Sequence, residues 1–140
     1  MSKISKYLTR QAILTAKDIK TESIHVPEWM DEEGNDLVLV KGLNGKERDA
    51  YEASQVQIEG GQVKFNKENI RAKLIALTVV NEELNSIFSI GDVEALGQKS
   101  GAALARVFEV AQKLSGLTQE SLEKTEKNST TTTSDISSTN

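Results

Sequence analysis

Between Gly101 and Leu114 the chain reads GAALARVFEVAQKL, with Leu104, Val107, Phe108, Ala111 and Leu114 recurring every three or four residues. That spacing puts all five on one side of an α-helix, as a continuous apolar stripe. A second run, NIRAKLIALTVV, puts Ile70, Leu74 and Leu77 on one helical face, widened by Ile75 and Val79. Each leucine or valine taken out of water contributes about 1.5–3 kcal/mol, so two such stripes must find cover. The 70–79 helix, starting at Asn66 or at Asn69, is expected to be the central one. Its end at Val79-Val80 is expected to fray, because β-branched residues are stiff in helices. Gly116 stands at the C-cap position of the later helix.

The other segments offer less apolar surface. Thr9 reads as the N-cap of a short helix through Ala16, with Ala12, Ile13 and Ala16 apolar. DIKTESIHVPEW changes to a loose alternation of Ile19, Ile24 and Val26, and Pro27 confines that strand to an edge or an end. Glu33-Gly34-Asn35-Asp36 reads as a turn before the β-rich run Leu37 to Val40, which together make a β-hairpin. Asn44, with Glu47 three residues later, has the spacing of a capping box. The helix it opens is expected to run to Ile58 with a thin apolar face, Ala50, Tyr51, Ala53, Val56 and Ile58, and to break at Gly60-Gly61. Leu84, Ile87 and Phe88 are expected to tuck under the core, and Ser89 to cap a short helix that Gly97 stops.

After Gly116 the pattern fades. Thr118 reads as the cap of a weakly helical segment whose single hydrophobe is Leu122. The last 14 residues hold nine serines or threonines and one apolar residue, Ile136. Such a stretch cannot bury enough surface to offset its ordering entropy and is expected to be disordered. The expectation is one α+β domain over residues 1–118, predominantly helical with four to five helices and an N-terminal β-hairpin. A weakly helical, then disordered tail follows over 119–140.

Composition narrows the chemistry. A formal charge of -4 at pH 7 gives no basic footprint for nucleic acid and argues against an anionic membrane surface. No window approaches the roughly 18 apolar residues of a membrane span, and the N terminus has no secretory pattern, so a cytoplasmic protein is expected. With no cysteine and one histidine, His25, thiolate metal sites, cysteine nucleophiles and any site needing two histidines are excluded.

Two loops invite a ligand reading. VKGLNGKE passes from strand to helix through Gly42 and Gly45, but a phosphate loop needs four residues between its glycines and a hydroxyl after the lysine. Here the glycines are three apart and Glu47 would repel the phosphates, so a strand exit and helix cap is the better reading. DEEGND at 31–36 has four carboxylates, yet its glycine comes too early for a calcium loop and Gly42 stands where the last ligand belongs. No constellation combines a nucleophile, a base and an oxyanion donor. No catalytic, cofactor or metal site is expected.

Three stretches, KYLTRQAILTAKDIKTESIHVPEW, LVLVKGLNGKERDAYEAS and NIRAKLIALTVVNEELNSIFSIGDVEALGQKSGAALARVFEVAQKLSGL, resemble the tail assembly chaperones of long-tailed bacteriophages and prophages. The resemblance spans residues 6 to about 117. It implies a protein that binds the tape-measure protein, keeps it soluble, helps recruit tail-tube subunits and is absent from the mature virion. It also implies action in the host bacterial cytoplasm, and often a longer form made by ribosomal frameshifting. Partner contacts are expected from Trp29, Leu104, Val107, Phe108, Ala111, Leu114 and Leu122, the α-helical ones being mostly core. Surplus apolar surface points to self-association or a helical client. Two rival readings are a structural tail protein retained in the particle and a small nucleotide-binding module resting on Gly45-Lys46.

Overall fold

The structure is a computed structural model and describes residues 5–117. Strand β1 (Thr21–His25) pairs antiparallel with β2 (Leu37–Lys41), Thr21 opposite Lys41 and His25 opposite Leu37. The connection between them is tied at its base by the Val26 N–H donating to the Asp36 carbonyl at 2.7 Å. Pro27 opens a 3-10 turn, Pro27–Trp29, instead of continuing the strand, as its missing N–H requires. The Asp31 carboxylate then accepts from the backbone N–H groups of Glu33 and Asn35, which holds its pKa below the ordinary value, the Asn35 bond having the largest effect.

Helix α1 (Arg10–Thr15) precedes the sheet, capped by the Thr9 hydroxyl, which accepts from the Ala12 N–H at 3.1 Å. It buries none of its residues. Helix α2 (Gly45–Ala53) starts at the expected capping box, with the Asn44 side chain accepting from the Glu47 N–H and the Glu47 carboxylate accepting from the Asn44 N–H. It ends earlier than expected. Val56 and Ile58 belong to β3 (Val56–Glu59), which pairs with β4 (Gln62–Phe65) as a second hairpin. Gly60 at φ 56° and Gly61 at φ 79° form its two-residue turn, the left-handed pair that matches the twist of a tight hairpin.

Helix α3 (Ile70–Thr78) follows Asn69, which is itself left-handed at φ 55° and caps nothing with its side chain. Val79-Val80 does not fray. It leaves the helix as β5 (Val79–Val80), pairing with β2 at Leu39 and Val40. Sheet order is therefore β1-β2-β5. A 3-10 turn, Ile90–Asp92, leads into α4 (Val93–Gly97) and then α5 (Gly101–Leu114). Ser89 and Asp92 make a second capping box, and the Ser100 hydroxyl caps α5 by accepting from the Ala103 N–H at 3.2 Å.

Helices α3 and α5 pack on each other, and α5 also lies across β1 and β2. The core joins Leu74 and Ile75 of α3, Val107 and Ala111 of α5, Val40 of β2 and Val26. Thr78, the buried polar residue of this core, returns its hydroxyl to the Leu74 carbonyl at 2.8 Å.

The α+β class and the N-terminal hairpin are as expected, but "predominantly helical" is corrected. Among the described residues, five strands in two sheets accompany five helices, of which only α5 exceeds nine residues. The β-branched pairs Val56/Ile58 and Val79/Val80 account for the difference, because each favours the pleated backbone over the helix interior. Leu84 and Ile87 are half exposed rather than tucked under the core, whereas Phe88 does pack against it. The tail over 119–140 lies outside the described residues.

Candidate partner-binding surface

The residues expected to meet partners divide by depth. Leu104, Val107 and Ala111 are buried, while Phe108 and Leu114 pack at the margin of the core. The Arg71 guanidinium lies over the Phe108 ring, 5.6 Å from its centre, a stacking that leaves one ring face committed. Trp29 also packs against the core, with its indole Nε1 buried and lacking an acceptor among the described residues. The neighbouring Glu28 makes a two-pronged pair with Arg106 at 2.7 and 2.9 Å, fastening the β1–β2 connection to α5. Leu122 lies outside the described residues. Trp29 and the α5 stripe thus share one core, not one open patch.

The loop from Gly42 to Glu47 is a structural joint. Glu47 already occupies the N terminus of α2 with its own carboxylate, which also pairs with the Lys41 ammonium. The ordinary position for a bound phosphate is filled by a side chain of the same charge. Ser115 adds a tie from the far end of the chain, its hydroxyl accepting from the Leu43 N–H at 3.0 Å.

Open apolar surface lies elsewhere, on elements not expected to meet partners. The β3–β4 hairpin carries Val56 opposite Phe65 and Ile58 opposite Val63. These four share one face, since partners directly across an antiparallel ladder point the same way. All four are exposed, Phe65 by 75% and Ile58 by 77%. The alternation on either side of Gly60-Gly61 could have disclosed this face. The N-terminal segment is a second such surface. Every residue from 5 to 20 is exposed, including Tyr7, Leu8, Ile13 and Leu14.

A groove of about 560 Å³ opens between the end of α2, one side of α3, and the segment leading into α4. Leu77, Phe88 and Val93 line it with apolar surface, and the exposed Ile90, Glu68 and Glu94 stand at its edge. Tyr51 reaches into its wall and donates to the Ile70 carbonyl at 3.4 Å. Burial pushes the Tyr51 hydroxyl up to about 12, so it stays a neutral donor. Lys73 turns its ammonium onto the Ser54 carbonyl at 3.1 Å. The groove is thus mostly apolar, with two carboxylates at its edge. Among the described residues no three histidine, cysteine, aspartate or glutamate side chains are grouped to hold a metal ion, and no helix is long and apolar enough to cross a membrane.

No protein-family model and no curated protein matches the chain. Among solved structures, the tail assembly chaperone of bacteriophage HK97 matches with a TM-score of 0.50 and 18% identity, over 74% of this chain and 94% of that one. At that identity the likeness is one of fold. The chain therefore has the fold of a bacteriophage tail assembly chaperone, the family that its sequence resembles.

Proposed function

We propose that this protein is a non-enzymatic chaperone of bacteriophage tail assembly. It binds the tape-measure protein in the host cytoplasm, keeps that long helical client soluble, and helps bring tail-tube subunits to it. The fold shared with the HK97 chaperone carries this reading. Exposed apolar faces on the β3–β4 hairpin, on α1 and around Ile87 and Ile90 agree with it, because a holdase needs such surface before its client arrives.

A chaperone leaves when assembly ends. Mass spectrometry of purified virions and of the infected-cell lysate tests this directly. The protein is expected in the lysate and absent from the particle. Stoichiometric retention in the virion would overturn the reading in favour of a structural tail component.

A further inference from the structure

The first 17 residues contain four of the 17 basic side chains, Lys3, Lys6, Arg10 and Lys17, and none of the 21 acidic ones. Within this basic arm, α1 exposes Ile13 by 56% and Leu14 by 63%. A six-residue helix cannot sustain itself in water, where even helices of about 12–15 residues are marginal. Arg10 and Lys17 form no ion pair among the described residues. The arm is thus a capped helix with an uncovered apolar side and unpaired positive charge.

The groove beside α3 has the opposite character. Its lining is mostly apolar, its edge carries Ile90, Glu68 and Glu94, and neither carboxylate is paired by a cation among the described residues. Its lysine, Lys73, is turned onto a backbone carbonyl. None of residues 5–20 lines it.

We propose that the α1 arm of one copy docks in the α3–α4 groove of a second copy. Ile13 and Leu14 lie on Leu77, Phe88 and Ile90, and Arg10 and Lys17 face Glu68 and Glu94. This is helix-in-groove recognition with matched charge. Repeated head to tail, the contact is heterologous, and each copy can both give and receive. Association then grows beyond two copies as concentration rises, and weakens with added salt, which screens the exposed charges. The inference goes beyond the tape-measure reading and does not depend on it.

Sedimentation of the purified full chain and of two variants tests the proposal. Leu14→Asp spoils the arm and Ile90→Asp spoils the groove; both positions are exposed, Ile90 by 90%, so the fold is kept, as melting curves check. The wild type is expected to gain mass with concentration. Each variant alone is expected to bind itself at least about tenfold more weakly, the loss of one buried leucine or isoleucine. Mixing them pairs an intact groove with an intact arm and is expected to give a species that stops at two copies. A wild type that stays monomeric, variants that associate like the wild type, or a mixture that remains monomeric would each overturn the proposal.

Discussion

A Cβ placed on Gly42 would sit 2.5 Å from the carbonyl oxygen of Leu114. The last turn of α5 therefore rests directly on the backbone where β2 ends. Overpacking of this kind costs about 1–3 kcal/mol. Gly42→Ala is expected to lower the melting temperature by several degrees. Gly45, at the first position of α2, has nothing within 4 Å of its added Cβ. Gly45→Ala is expected to leave stability unchanged or raise it, by up to about 1 kcal/mol. Equal destabilisation by the two would refute the joint described for this loop.

The ion pair between Glu28 and Arg106 makes stability depend on acidity. The Arg106 hydrogen bonds lower the Glu28 pKa from 4.5 to about 2. A carboxylate with a depressed folded-state value stabilises the fold above its unfolded value, and that contribution fades as pH falls through the folded one. The loss should therefore fall between about pH 4.5 and 2. Both side chains are partly solvated, so the effect is modest and shrinks with salt. Chemical denaturation at pH 5 and pH 2.5 is expected to show a smaller drop for Arg106→Gln than for the wild type.

The second hairpin should open without the core. Gly60 and Gly61 are both left-handed, and an alanine there costs about 1–2 kcal/mol per residue. Every side chain of β3 and β4 is exposed. Gly61→Ala is expected to speed hydrogen exchange at the Gln57 and Lys64 amides, which face each other across the ladder, while global melting shifts little. Cooperative loss of the whole fold would contradict this.

The Asn44 cap is a local anchor for α2. Replacing Asn44 by alanine removes the bond to the Glu47 N–H at 2.8 Å and half of the capping box. The expected cost is about 1 kcal/mol, read from denaturant midpoints. An unaltered midpoint would show that the Lys41–Glu47 pair alone holds the helix start.

Local chemistry was the legible part of this fold. Asn44 with Glu47, the Ser89 cap, and the stripe from Leu104 to Leu114 are each local to one helix, where spacing alone states the structure. Val79 and Val80 show what was hidden. Their strand exists because β2 offers an edge some 40 residues earlier in the chain, and no local period encodes that partner. Val56 and Ile58 were misleading for a different reason: two apolar residues two apart continue a weak helical face as readily as they begin a strand. The groove is less legible still. Tyr51, Leu77, Phe88 and Val93 come from four segments that only tertiary packing brings together.

The proposed chaperoning of the tape-measure protein can be read out by co-expression. The tape-measure protein of the same phage is produced with and without this chain, and its soluble and pelleted fractions are weighed. The chain is expected to move most of it into the soluble fraction and to co-purify with it. A tape-measure protein that pellets equally in both cases, with no chain bound, would rule out the chaperone role.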